Sequence, residues 1–243
     1  MITLCRGRYQ SRIAAAPEDV AAAQALRHLA FHGVAGSDCD SFDSLCGHML
    51  VEEVRSGQLV CCFRFMPLRS GSEIGRSYAA QFYELSALAG FSGPMIEMGR
   101  FCIRPGLTDP DILRIAWGAM TAYVDHTGAE LLFGCASFPG TDSQEYLDAF
   151  ATLNARHLAP PRWQPRVKAP EVFRFAQGPL CTPDPRKAML RMPPLLRTYL
   201  MMGGWVSDHA VVDMQMNTLH VFTGVEIAAI PPARKRLLRA VAG

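Results

Sequence analysis

A chain of 243 residues, 49% of them hydrophobic and 19% charged, can bury a large core and is too apolar to stay disordered. Its formal net charge of +2, with lysines and arginines scattered along the chain, excludes a dedicated nucleic-acid binder but leaves room for a local basic patch facing an acidic partner. Eight cysteines (Cys5, Cys39, Cys46, Cys61, Cys62, Cys102, Cys135 and Cys181) form no C-x-x-C pair and lie mostly in apolar runs, which excludes a disulfide scaffold and points to a reducing cytoplasm.

The opening "MITLCRGRYQSRIA" lacks the continuous apolar stretch of a secretion signal, and no later stretch nears the ~20 apolar residues of a membrane-spanning helix. A soluble protein, at most peripheral on a membrane, is expected. Residues 3–14 read as one strand. "PEDVAAAQALRHLAFH" (17–32) reads as a helix, with proline at its first position and two acids in its first turn, and Arg27 and Phe31 share one of its faces. The Gly-, Ser- and Asp-rich run 33–47 is a loop, and "HMLVEEV", "RSGQ" and "LVCCFRFMP" form a hairpin over 48–66. A short helix is expected near "QFYELSAL". Residues 95–103 form a strand, and a helix of about four turns starts at Asp109, a good N-cap followed by proline. "ELLFGCASF" is a buried strand, "PGTD" a turn and 143–158 an amphipathic helix. Irregular chain is expected over 159–187, a short helix over 193–204 and two late strands over 210–227.

The strand "PMIEMGRFCI" poses a specific problem, because strict alternation puts Glu97 and Arg100 on opposite faces. A bulge at Gly99 would bring both towards one side. The following "RPGLTDP" offers backbone N–H groups and a positive helix end to an anion such as a pyrophosphate or a phosphopantetheine arm, or is only a capping turn. Asp38, Asp40 and Asp43, with His48 close by, either hold a cationic substrate or form a solvated acidic loop; the spacing is wrong for a calcium-binding loop. Cys135 inside an apolar run is core rather than a nucleophile for His157, and no motif of the common hydrolases, NTPases, dinucleotide binders or zinc proteases occurs.

The pieces "LRHLAF", "DCDSFDSLCGHMLVEE", "CCFRFMP", "EMGRFCIRPGLTDPDILRIAW", "LLFGCASFPGTD", "PPLLRTYL" and "GGWVSDHAVVDMQMNT", in this order from about residue 20 to about 220, resemble the bacterial L-ornithine Nα-acyltransferases. These are relatives of the acyl-homoserine lactone synthases within the Gcn5-related acyltransferase superfamily. The resemblance implies an α/β fold with a mixed, mostly antiparallel, splayed sheet, a bulged central strand and flanking helices. It also implies a single acyltransferase domain over 1–243, with a core to about 160 and an extension packed on it.

The implied reaction moves a 3-hydroxy fatty acyl group from acyl carrier protein to the α-amine of L-ornithine. It needs no metal and no cofactor beyond the phosphopantetheine thioester. Glu97 and Arg100 would be catalytic, with Glu97 taking the amine's proton. Arg27, Phe31, Asp38, Asp40, Asp43, His48 and Arg64 would bind the amino acid, and Phe101, Ile103, Arg104, Gly106, Asp109 and Arg114 the carrier's arm. The apolar strands 59–65 and 130–138 with Trp117 would house the acyl chain. A less acidic segment 70–92 than in many ornithine enzymes leaves glutamine as an alternative amine, and an acyl-homoserine lactone-type signal synthase as a further alternative.

Overall fold

In the computed structural model, which describes residues 3–177 and 183–242, Gly7 at φ 57° turns the first expected strand back on itself. The result is a hairpin of β1 (Leu4–Arg6) and β2 (Tyr9–Ile13). The chain continues through α1 (Pro17–His32), β3 (Gly47–Glu53), β4 (Leu59–Leu68), β5 (Tyr83–Glu84), β6 (Met95–Ile103), α2 (Pro110–Thr127), β7 (Leu131–Pro139) and α3 (Leu147–Arg156). It ends with β8 (Arg166–Val167), β9 (Val172–Phe173), α4 (Pro185–Arg191), α5 (Pro194–Met201), β10 (Trp205–Val206), β11 (Ala210–Asp213), β12 (Thr218–Glu226) and α6 (Pro232–Ala242). Cys181 lies outside the described residues. No helix among those described is long and apolar enough to cross a membrane.

These elements form two compact units. The first takes the chain up to Pro67, Ile96–Ala129 and the stretch from Pro231. Its strands run in the order β1-β2-β3-β4-β6, with β1 to β4 antiparallel in succession. Helix α1 starts where the Asp19 carboxylate accepts the Ala15 and Ala16 N–H groups, and it stops at left-handed Gly33. Its Ala23 and Leu26 bury against Leu50, Cys62 and Cys102 of the sheet. Helix α2 starts under the Asp109 carboxylate, which accepts the Asp111 N–H at 3.0 Å. At 18 residues it is a turn longer than expected, because the cap that ends it, left-handed Gly128, lies beyond the apolar stripe. Buried Ile112, Ile115, Met120 and Val124 hold it down, each worth about 1.5–3 kcal/mol.

The second unit takes Leu68–Met95 and Glu130–Ile230. Its ladder runs β7-β12-β11-β9, with β10 also paired to β12 and with β5 and β8 forming a separate pair. Strands β7 and β12 pair along their whole length, from Leu131 opposite Glu226 to Pro139 opposite Thr218. Ala136, Phe138, Leu219 and Val221 pack against Phe150 and Leu153 of α3 and Leu196 of α5. Phe222 stacks instead with Phe133 and Trp205, next to Tyr83, whose hydroxyl donates to the His220 carbonyl at 2.7 Å.

Three expectations need correction. The segment 70–92 holds no α-helix but three short 3₁₀ turns around β5. A Cβ on Gly71 would run into the Leu88 carbonyl oxygen, so main chain packs on main chain between the first and third of these turns. Two helices, α4 and α6, form where none was expected. Helix α6 gathers Arg234, Lys235, Arg236 and Arg239 on a single element, so the cations are less scattered than the linear sequence suggests.

Candidate active site

The first unit brings most of the expected polar residues to one place. Arg27, on the sheet-facing side of α1 and 1% exposed, forks onto Asp43 through Nη1 and Nη2 at 2.8 and 2.9 Å, and its Nε meets Asp38 at 2.8 Å. Its Nη2 also reaches the Asp38 carbonyl. Arg64 on β4 donates through Nη1 to Asp40 at 2.5 Å and to Asp43 at 3.0 Å, and its guanidinium lies over the Phe42 ring. Arg100 on β6 meets Asp38 and Asp40 at 3.2 Å each. Each of the three aspartates is thus held by two guanidinium groups, a charge-assisted lattice that fixes the loop between α1 and β3. Buried His48 donates from Nε2 to the Asp43 carbonyl at 3.0 Å and ties the lattice to β3.

The electrostatics follow from this geometry. Burial alone would raise the Asp43 pKa, yet the hydrogen bond and charge of Arg27 hold it well below the usual carboxylate range. Burial is likewise outweighed at Asp40 by Arg64 and then Arg100. The Cys46 thiol, at the foot of β3, is pushed up to about 11, chiefly by burial, with Arg64 opposing and the Glu97, Asp43 and Asp40 charges adding. Glu97 is 5% exposed.

Strand β6 has an irregular backbone residue next to the expected bulge at Gly99. Gly99 does not take a left-handed conformation; Arg100 does, at φ 54°. A non-glycine residue there costs about 1–2 kcal/mol, which the two carboxylates on its guanidinium offset. Crowding does not require glycine at position 99, since a Cβ there would meet only Arg64 Nε, at an ordinary 4.0 Å.

Other expected residues lie apart from the lattice. Phe31 sits at the end of α1 and is 37% exposed. Phe101 stacks on Phe63 with ring centres 5.6 Å apart, and Ile103 is half-buried at the end of β6. Arg104 donates from Nε to the Leu59 carbonyl, and Gly106 makes the exposed turn at φ 83°. Asp109 accepts from Tyr9 Oη at 2.9 Å as well as from the helix, and exposed Arg114 pairs with Asp111.

Sequence reasoning missed Gln24, whose Nε2 donates to Asp43 at 2.9 Å, and Cys46. Gln24 stands three residues before Arg27 on α1, so helical spacing alone carried the signal.

Residues 26–118 match the acetyltransferase (GNAT) domain family. The chain is 30% identical over 241 residues to the L-ornithine N(alpha)-acyltransferase of Rhodobacter capsulatus, covering 91% of each chain. It is 28% identical over 242 residues to the protein of that name from Rhizobium meliloti, covering 91% of this chain and 81% of that one. Among solved structures, FeeM, an N-acyl amino acid synthase from uncultured soil microbes, aligns over 97% of both chains with a TM-score of 0.51 and 12% identity. TofI in an apo form aligns over 96% of this chain and 99% of its own, with a TM-score of 0.51 and 15% identity.

Proposed function

The chain belongs to the L-ornithine Nα-acyltransferase family, with the fold of the Gcn5-related acyltransferases, and on that premise we propose that it transfers a 3-hydroxy fatty acyl group from acyl carrier protein to the α-amine of L-ornithine. The acyl transfer itself follows from the family; the donor, the hydroxyl and the amine are the proposal. The observation that supports it best is a buried carboxylate, Glu97, on the same strand as Arg100, which with Arg27 and Arg64 holds the aspartate loop.

An amino acid arrives as an ammonium ion and must lose a proton before its nitrogen can attack. Glu97, directly or through one water, takes that proton. The amine nitrogen then adds to the thioester carbonyl, the oxyanion is met by backbone N–H groups near the irregular turn of β6, and collapse expels the pantetheine thiolate. The thiolate leaves with a proton and the amide remains; no acyl-enzyme is needed. Arg100, the most accessible of the three arginines at 14% side-chain exposure, would fork onto the substrate's α-carboxylate by exchanging its 3.2 Å contacts to Asp38 and Asp40.

One observation favours glutamine as a second reading. Asp38, Asp40 and Asp43 are each paired to arginines, so the loop has little charge left for a cationic side chain. Incubating the purified protein with 3-hydroxyacyl carrier protein and a panel of ornithine and the common amino acids, with mass detection, separates the readings. Acyl-ornithine as the dominant product supports the proposal. Acyl-glutamine as the dominant product, or turnover only with free acyl-CoA, overturns the corresponding part.

A further inference from the structure

Residues 227–243 carry Arg234, Lys235, Arg236 and Arg239 and not one acidic residue. The Pro232–Ala242 part of this stretch is α6, which lies along α2 in the first unit. Arg239 fastens it there through two bonds to the Asp125 carboxylate, both 2.9 Å, and Arg6 of the β1–β2 hairpin reaches the Ala240 carbonyl. Arg234, Lys235 and Leu238 are half-buried, whereas Ala233, Arg236, Leu237 and Ala240, one helical face by their spacing, are exposed. Leu237 is 60% exposed. This face combines small side chains, a cation and a leucine in water, with the exposed Arg6 near its end.

We infer that α6 docks the protein on an anionic lipid surface. Basic side chains beside a leucine on a helix that can lie flat are what an interfacial helix needs: arginines meet lipid phosphates and the leucine enters the acyl boundary. An acidic protein would satisfy the arginines but would offer nothing to Leu237. The biological reason rests on the reading above, since the proposed product is a single-chain amphiphile that belongs in a bilayer. The binding itself requires neither substrate.

The test sediments the full-length protein with vesicles of phosphatidylcholine alone and of phosphatidylcholine mixed with phosphatidylglycerol, at low and high salt. The mixed vesicles should bind it, and salt should weaken the binding. One cation near such a surface is worth about fivefold in partitioning, so Arg236→Glu should lower binding roughly twentyfold. Leu237→Ser should lower it severalfold without changing the salt response. Both variants should keep wild-type turnover with carrier-bound donor in the absence of vesicles. Equal affinity for neutral and anionic vesicles, or wild-type vesicle binding by Arg236→Glu, overturns the inference. So does a raised KM for carrier protein in Arg236→Glu with vesicle binding intact, which would assign the face to the carrier. Because vesicle binding is measured without substrates, an error in the amine or the donor leaves this result untouched.

Discussion

Glu97 is a carboxylate buried on a strand, an arrangement costly enough to need a reason. If it accepts the amine's proton, Glu97→Gln keeps the shape and the hydrogen bonding of the side chain and removes only the base. Turnover should fall by ~10²-fold or more, with circular dichroism and the affinity for carrier protein unchanged; wild-type turnover in the folded variant would exclude the role. A second buried titratable group acts on stability rather than on chemistry. Burial lowers His220 from 6.5 to about 4, so the native state holds it neutral while the unfolded chain takes up a proton below pH 6.5. Its contribution is therefore complete above pH 6.5 and declines as the pH falls towards 4. Urea unfolding at pH 5 should show about 2 kcal/mol less stability than at pH 7, and His220→Gln should remove most of that difference. The aspartates of the lattice do not confuse this window. Their pKa values are depressed, so their contribution stays whole above about pH 4 and is lost only as the pH falls further.

At the scale of elements, α1, the aspartate loop, β4 and β6 are joined by one ionic lattice. Removing a single member strands the charges that remain. Arg27→Met should cost about 3–5 kcal/mol because it leaves Asp43 and Asp38 short of a partner in a buried place. Adding Asp43→Asn to it should recover part of the loss, a coupling that a double-mutant cycle in urea measures; strictly additive losses would mean that the two side chains do not act together. The same elements show how far sequence carries. Helices α1 and α2 were legible because their signals are local: a proline at the first position, acids in the first turn, a capping carboxylate, a terminal glycine. The three aspartates and three arginines were legible as a set of residues. Their pairing was not, since Arg64 and Arg100 reach the loop from strands distant in sequence. The sequence pointed to a bulge at Gly99 but not to the left-handed backbone of Arg100, whose guanidinium meets Asp38 and Asp40. Helix α6 went unread because its charges mask the apolar stripe that marks a helix, and an ion pair to α2 holds it in place.

For the molecule as a whole, a formal charge of +2 conceals local excesses of either sign. If an acidic carrier protein delivers the acyl group at the turn before α2, then Arg104 and Arg114 guide it there. Reversing both charges should raise the apparent KM for the carrier severalfold, and salt should produce the same effect in the wild type. A KM insensitive to both changes would move the docking site elsewhere. Arg104 is also bonded to the Leu59 carbonyl and Arg114 to Asp111, so each variant needs a thermal melt beside its kinetics.

The ladder between β7 and β12 joins stretches of chain that lie about eighty residues apart at their nearer ends. On a ribosome adding ~5–20 residues per second, β7 waits roughly 4–16 s for this partner to be made. During that interval the edge of "LLFGCASF" that pairs with β12 stays without its ladder partner. Yield during synthesis, more than final stability, is therefore where substitutions between residues 140 and 217 should show their effect, as pairing over such a separation is slow and leaves apolar surface open to aggregation.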